Sequence, residues 1–98
     1  MNLELRNEDF TKYLTEKFND ELGGIHYIFR FPNNYGASVV KGKYTYGGDK
    51  DLWEMALLYF YDESNEYALI YEKDFEVDVI GYLSDSEVNE MLKKIIKY

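Results

Sequence analysis

The sequence predicts a single α+β domain over residues 1–98: a four-stranded antiparallel sheet with an N-terminal and a C-terminal helix, in the order α-β-β-β-β-α. The chain has 98 residues, 46% of them hydrophobic, which suits one domain with its own core. Apolar residues recur at helical spacing near both ends and alternate or run together between them. Breaks rich in Gly and Asn separate these segments.

The first predicted element is a helix over residues 7–22. Asn7 is a suitable N-cap, and Gly23 and Gly24 would end the helix because glycine accepts the left-handed cap conformation. Apolar residues spaced four apart would form its buried stripe. These are Phe10, Leu14, Phe18 and Leu22.

Four strands are predicted between the helices. They cover residues 25–31, 37–46, 52–61 and 67–72. Pro32 ends the first strand because it cannot donate a ladder hydrogen bond, and a turn at residues 33–36 follows. The third strand is apolar on both faces apart from Glu54, as in a central strand, although residues 52–58 also fit a helix. Residues 75–80 extend the fourth strand or follow it after a bulge.

The C-terminal helix has a clear start signal. Ser84 is the predicted N-cap, Glu87 completes a capping box, and Leu83 and Val88 occupy the positions of a hydrophobic staple. Lysines near the end of the helix suit the negative end of its dipole. The predicted buried stripe consists of Val88, Met91, Leu92, Ile95 and Ile96.

The charges are segregated along the chain. Residues 49–90 hold 13 acidic residues and two basic ones, whereas residues 1–48 hold six of each. The net charge of −8 therefore belongs to one acidic half, followed by a basic C-terminal end. A field of this kind attracts basic surfaces and repels nucleic acid and anionic membranes, so we expect neither of these as a direct partner.

The middle of the chain resembles a known family. The matching words are Tyr35-Gly36-Ala37-Ser38-Val39, Tyr46-Gly47-Gly48 and Leu52-Trp53-Glu54, followed by Gly81-Tyr82-Leu83 and Glu87-Val88-Asn89. They resemble those of small uncharacterised proteins encoded by phages and prophages, mostly of Gram-positive bacteria. The resemblance implies the cytoplasm of a bacterial host and assigns no activity.

The residues that carry most catalytic and metal chemistry form no recognisable motif. The chain has no Cys and one histidine, His26, which we interpret as an ordinary strand residue. The glycines do not form a phosphate-binding loop. Asp49, Asp51 and Glu54 offer oxygen ligands for Ca²⁺ or Mg²⁺ but lack the spacing of a calcium loop, so a solvated turn is preferred. We predict no enzyme, cofactor or metal.

Six tyrosines could in principle form a stacking platform for single-stranded nucleic acid. Such a platform needs a positive groove beside it, and the chain beyond residue 46 is acidic. Cross-strand packing is therefore the preferred interpretation. The six are Tyr44, Tyr46, Tyr59, Tyr61, Tyr67 and Tyr71.

The sharpest functional hypothesis concerns a row of carboxylates. Glu72, Asp74, Glu76 and Asp78 would all point one way in an extended strand, roughly 6.5–7 Å apart, close to the spacing of successive phosphates. Such a row could occupy the nucleic-acid groove of a basic protein, with Trp53 or an exposed tyrosine as an anchor. Other predicted partner-binding carboxylates are Asp49, Asp51, Asp62, Glu63 and Glu66. The plainer interpretation is a surface that only keeps the protein soluble.

These observations predict a small acidic interaction protein. It would bind and inhibit or modulate a host protein with a basic surface, such as a nucleic-acid-handling or defence factor. The alternative is a homo-oligomeric assembly module of the phage, in which tyrosines and Trp53 form a symmetric interface.

Overall fold

The computed structural model describes residues 8–61, 63–72, 74–75 and 79–98. These residues form an α+β domain with a six-stranded antiparallel sheet and one α-helix. The strands are β1 (Leu14–Asn19), β2 (Ile25–Arg30), β3 (Tyr35–Lys41), β4 (Trp53–Phe60), β5 (Tyr67–Leu69) and β6 (Ile80–Leu83), and the helix is α1 (Asp85–Ile95). Two short 3-10 helices span Glu8–Tyr13 and Gly48–Lys50.

The strands pair in the order β1-β2-β3-β4-β5, with β6 also paired to β4. Strands β5 and β6 divide the outer edge of β4 between them. Leu58 and Phe60 pair with β5, whereas Trp53 and Met55 pair with β6. Two short strands therefore protect one long central strand, and β1 forms the other edge of the sheet.

The two faces of the sheet differ in what covers them. On the helix face, side chains of β2, β3 and β4 pack with Val88, Leu92 and Ile95 of α1 to form the main core. The face opposite α1, which we call the open face, holds a second buried cluster that has three members among the described residues, Ile28, Leu58 and Phe60. Strand alternation produces this division because successive side chains point to opposite faces.

The predicted N-terminal helix is wrong. Its region contains the 3-10 helix followed by β1, and Phe18 and Leu22 are 43% and 67% exposed instead of lining a buried stripe. The reason is tertiary pairing: β1 satisfies the backbone of β2, with Phe18 opposite His26. Gly23, at φ +86°, belongs to the hairpin turn between these strands. Asn7 lies outside the described residues.

The prediction of four strands is also incomplete. The central strand at β4 is confirmed, and it is buried along most of its length. The predicted strand at residues 37–46 ends at Lys41, because Thr45 Oγ1 accepts a hydrogen bond from the N–H of Gly42 (2.9 Å) and turns the chain. The predicted strand at residues 67–72 keeps only Tyr67–Leu69, and β6 is a separate strand.

The C-terminal helix is confirmed together with its start signal. The N–H of Glu87 donates to Ser84 Oγ (3.2 Å), and the N–H of Ser84 donates to Glu87 Oε1 (2.8 Å). Leu83 and Val88, the predicted staple residues, are both buried in the main core. Within the described part of the chain, no helix is long and apolar enough to cross a membrane.

Candidate functional site

The open face of the sheet carries a groove with a cavity volume of about 410 Å³. Its wall is largely aliphatic, with a few polar groups placed among the apolar ones. The lining residues are His26, Ser38, Val40, Thr45, Glu54, Ala56, Leu58, Tyr67, Leu69 and Val79. A cavity of this size, apolar with few polar groups, is typical of sites that hold a small ligand or a side chain.

Strand register explains how distant parts of the sequence meet in the groove. His26 pairs with Val40, and Val40 pairs with Glu54, so these three form one row across β2, β3 and β4. The next row contains Ser38 opposite Ala56. These two small side chains leave the floor of the groove low between larger neighbours, which is why this part of the sheet is concave.

Glu54 is the carboxylate of the groove. Its side chain is half-buried on β4, and Oε1 accepts a hydrogen bond from the backbone N–H of Tyr46 (2.8 Å). Glu54 makes no other side-chain hydrogen bond to a described residue. Oε1 therefore bonds to the loop after β3, whereas Oε2 can accept a hydrogen bond from a bound group.

His26 marks one end of the groove. Its Nε2 lies 2.7 Å from Asp20 Oδ2, and its ring stacks on Phe18 with 4.6 Å between centroids and an interplanar angle of 5°. The pKa of Asp20 is lowered, first by this hydrogen bond with His26 and next by the backbone N–H of Gly24. The β1–β2 turn thus holds His26 in a fixed orientation beside the groove.

The opposite end of the groove is closed by aromatic packing. The ring of Tyr67 lies 5.2 Å from that of Phe60, and the guanidinium carbon of Arg30 lies 4.9 Å from the centre of the Phe60 ring. Arg30 also donates to Ser64 O (2.6 Å) and Asn34 Oδ1 (3.1 Å). A Cβ at Gly36 would collide with the backbone carbonyl oxygen of Phe29 and would lie 2.7 Å from the Phe60 ring, so glycine is required here.

The described half of the predicted carboxylate row is not an extended strand. The backbone of Glu72 exchanges two hydrogen bonds with Phe75, N–H to O at 3.0 Å and 2.8 Å, so the chain turns here instead of extending. Glu72 and Asp74 therefore do not lie in one straight row. Glu76 and Asp78 lie outside the described residues.

Glu72 and Asp74 accept hydrogen bonds from tyrosines near the helix face. Glu72 Oε2 accepts from the hydroxyl of Tyr35 (2.6 Å), and this bond raises the pKa of Tyr35. Asp74 Oδ2 accepts from the hydroxyl of Tyr98 (2.9 Å), and Lys94 lies 3.7 Å from Asp74. Burial, followed by the bond to Asp74, raises the pKa of Tyr98 to about 12.

The other predicted carboxylates differ in their surroundings. Asp51 forms an ion pair with Lys41 (3.0 Å), although Asp51 itself stays largely exposed. Asp49, Glu63 and Glu66 are exposed and make no side-chain hydrogen bond or ion pair with another described residue. Asp62 lies outside the described residues. With respect to the described part of the chain, Asp49, Glu63 and Glu66 are therefore available to a partner.

Trp53 is not a surface anchor. Its side chain is 0% exposed in the main core, where Nε1 donates to Asp85 Oδ1 (2.6 Å) and the Lys41 ammonium lies 4.2 Å from the ring centre. The prediction of an exposed Trp53 is wrong because the parity of β4 turns this side chain toward α1.

The six tyrosines do not share one face. Tyr59 packs against Tyr35 and Tyr61, whereas Tyr67 packs on Phe60 at the open face. Tyr44, Tyr46 and Tyr71 are exposed in connecting segments. A continuous stacking platform is therefore not present among them.

The carboxylates considered for a metal do not converge. Asp51 is held by Lys41 and Glu54 by the N–H of Tyr46. Among the residues that the structure describes, no group of three His, Asp or Glu side chains is placed to hold an ion.

The sequence interpretation missed the groove itself. Glu54 was recognised as the polar exception in an apolar strand, but it was not connected with the residues of the neighbouring strands. The signal that would have done so is the alternation that places His26, Ser38, Glu54 and Ala56 on one face of neighbouring strands.

Comparison with known proteins adds no relative: no protein-family model, no curated protein and no solved structure matches this chain.

Proposed function

We propose that the protein is a small interaction protein that binds a partner protein with a basic surface, and that the open face of the sheet is its binding site. The observation that carries this proposal is the apolar groove on that face, with Glu54 in its wall. The acidic stretch and the exposed apolar side chains around the groove support it.

Exposed apolar side chains surround the groove. Phe18 at the His26 end is 43% exposed, and Tyr67 and Leu69 along β5 are 42% and 40% exposed. Aromatic and aliphatic residues gathered around a concavity are typical of protein-binding surfaces, where a few anchors contribute most of the affinity. A partner that covers this face would bury them together with the groove.

The charge of the molecule favours a basic partner. The open face carries Asp20 and Glu54, and Arg30, on the same face, is already engaged by Ser64 and Asn34. The exposed carboxylates of Asp49, Glu63 and Glu66 add to the field of the acidic half. Such a field speeds association with a basic protein and makes it sensitive to salt.

The resemblance to phage and prophage proteins suggests the biological setting. In that setting the protein acts in the cytoplasm of a Gram-positive host, and the partner is a host nucleic-acid-handling or defence protein that it inhibits or modulates. The proposed binding site is the open face and not a row of carboxylates that imitates phosphates. The backbone hydrogen bonds between Glu72 and Phe75 turn the chain within the segment where that row was predicted.

A pair of matched variants tests the binding site. Tyr67 lies at the groove and Tyr61 packs on Tyr59 away from it, and both are about half exposed, at 42% and 50%. The native chain is used to capture partners from a Gram-positive lysate, and affinity for the purified partner is then measured at low and moderate salt. We expect Tyr67→Arg to weaken binding at least about tenfold and Tyr61→Arg by less than about twofold.

Equal binding by the two variants would contradict the proposed site. A defined oligomer of the native chain that Tyr67→Arg dissociates, seen by size exclusion with light scattering, would assign the open face to self-assembly instead.

A further inference from the structure

We infer that the groove holds a lysine side chain of the partner protein, with its aliphatic stem on the apolar wall and its ammonium group at Glu54. This inference rests on the proposed function, because it names the anchor that a basic partner places in the open face. Three features of the described part of the groove lead to it: an aliphatic wall, one half-buried carboxylate, and the hydrogen bond that already occupies one oxygen of that carboxylate.

The wall suits an unbranched alkyl chain. Val40, Ala56 and Leu58 provide adjacent aliphatic surface along β3 and β4, and all three are buried among their neighbours. Long basic side chains commonly lay their methylene stem on apolar surface while the charged head reaches a polar group. Glu54 is opposite Val40 on the neighbouring strand, so it lies at the end of this aliphatic path.

The charge of the groove selects a cation. A neutral apolar group would cover the half-buried Glu54 carboxylate and remove its water without replacing its hydrogen bonds, which is costly. An anion would face the same carboxylate, and no base is available to it among the described residues that line the groove. Arg30 is engaged by Ser64 and Asn34, and the Nε2 of His26 is held by Asp20. A cation supplies both a hydrogen-bond donor and the charge opposite to that of the carboxylate.

The geometry at Glu54 favours lysine over arginine. A guanidinium binds a carboxylate best through two parallel hydrogen bonds, which use both oxygens. In this protein Oε1 already accepts the N–H of Tyr46 (2.8 Å), so one oxygen remains. An ammonium group is a compact donor that a single oxygen satisfies. The hydroxyl of Ser38, which makes no hydrogen bond to a described residue, offers a second acceptor on the groove floor.

Blocked amino acids test this directly. N-acetyl methylamides of lysine, norleucine and arginine are titrated into the labelled protein, and the methyl signals of Val40, Ala56 and Leu58 are followed by NMR. Norleucine has the same stem as lysine to its last carbon but lacks the ammonium group. We expect the lysine compound to bind about fivefold more tightly than norleucine, and more tightly than arginine.

Two variants assign the preference to Glu54. Glu54→Gln keeps an oxygen for the N–H of Tyr46 and removes only the charge, so the lysine compound should fall to the affinity of norleucine. Glu90→Gln changes an exposed carboxylate that pairs with Lys93 on α1, and it should leave the preference intact. The native and variant spectra also report whether each protein is folded.

Equal binding of lysine and norleucine by the native protein, stronger binding of arginine, or shifts confined to residues outside the groove would overturn the inference. These outcomes differ from a failure of the proposed function. A partner whose binding is lost in Tyr67→Arg would still support the open face as the site, even if the groove showed no preference for lysine.

Discussion

At the residue scale, many of the acidic side chains serve the fold. Asp85 accepts the indole hydrogen bond of the buried Trp53, Glu87 closes the capping box of α1, and Glu72 accepts from Tyr35. Each of these carboxylates accepts a hydrogen bond from a donor that would otherwise need a water molecule as its acceptor. The acidity of residues 49–90 therefore arises partly from structural requirements and not only from recognition.

The hydrogen bond between Trp53 and Asp85 gives a stability prediction. Asp85→Ala leaves the Nε1–H of a fully buried indole without its acceptor and removes a negative charge from the first turn of α1. We expect the free energy of unfolding to fall by about 1–3 kcal/mol in urea titrations. Glu90→Ala, on the exposed side of the same helix, is the control and should change it by less than about 0.5 kcal/mol. Equal effects would show that Asp85 has no special role.

Residue roles were predictable where they depend on local sequence. Ser84 and Glu87 are three residues apart, and their capping bonds need nothing from the rest of the chain. The burial of Trp53 was not predictable in this way. It depends on which face of β4 turns toward α1, and a strand that is apolar on both faces gives no indication of its orientation.

At the element scale, β1 shows how a helical pattern can be misread. The four-residue spacing of Phe10, Leu14, Phe18 and Leu22 is that of a helical stripe. In the sheet, however, Leu14 lies opposite Phe29 on the helix face and Phe18 lies opposite His26 on the open face. The register irregularity between Leu14 and Glu16 disturbs the alternation that would have identified the strand. The free edge of β2 decides between the two structures, because pairing with β1 satisfies its backbone groups. That edge is a tertiary feature, which local periodicity does not report.

Acid should destabilise the β1–β2 turn, because it protonates the Asp20 carboxylate. Its pKa is lowered by the hydrogen bonds with His26 and with the N–H of Gly24. A carboxyl with a lowered pKa in the folded state stabilises the fold in its ionised form. Its contribution is therefore complete above the ordinary pKa of 3.8 and is lost as the pH falls through the lower folded value.

The measurement compares the native protein with Asp20→Asn by urea unfolding at about pH 5.5 and about pH 2. We expect the native protein to be more stable at the higher pH and the difference between the two proteins to shrink at the lower one. A difference that does not change with pH would mean that the ionised form of Asp20 does not stabilise the turn.

At the scale of the whole molecule, the fold is asymmetric across its sheet. The helix face is covered by α1 and holds most of the core, whereas the open face has a three-residue cluster, a groove and exposed apolar side chains. The α+β class and the C-terminal helix follow from the sequence, since composition and local patterns determine them. The groove does not, because it forms only when the register of β2, β3 and β4 aligns His26, Ser38 and Glu54.

Methyl-detected cross-saturation from the captured partner is the measurement that separates the two faces most directly. Adjacent residues provide matched pairs: Val40 and Leu58 line the groove, whereas Val39 and Leu57 point into the core beneath α1. We expect signal loss at the methyl groups of Val40, Leu58 and Leu69 and none at Val39 and Leu57. Loss confined to the methyl groups of Met91 on α1 and of Ile96 directly after it, with Val40 and Leu58 unchanged, would contradict binding through the open face.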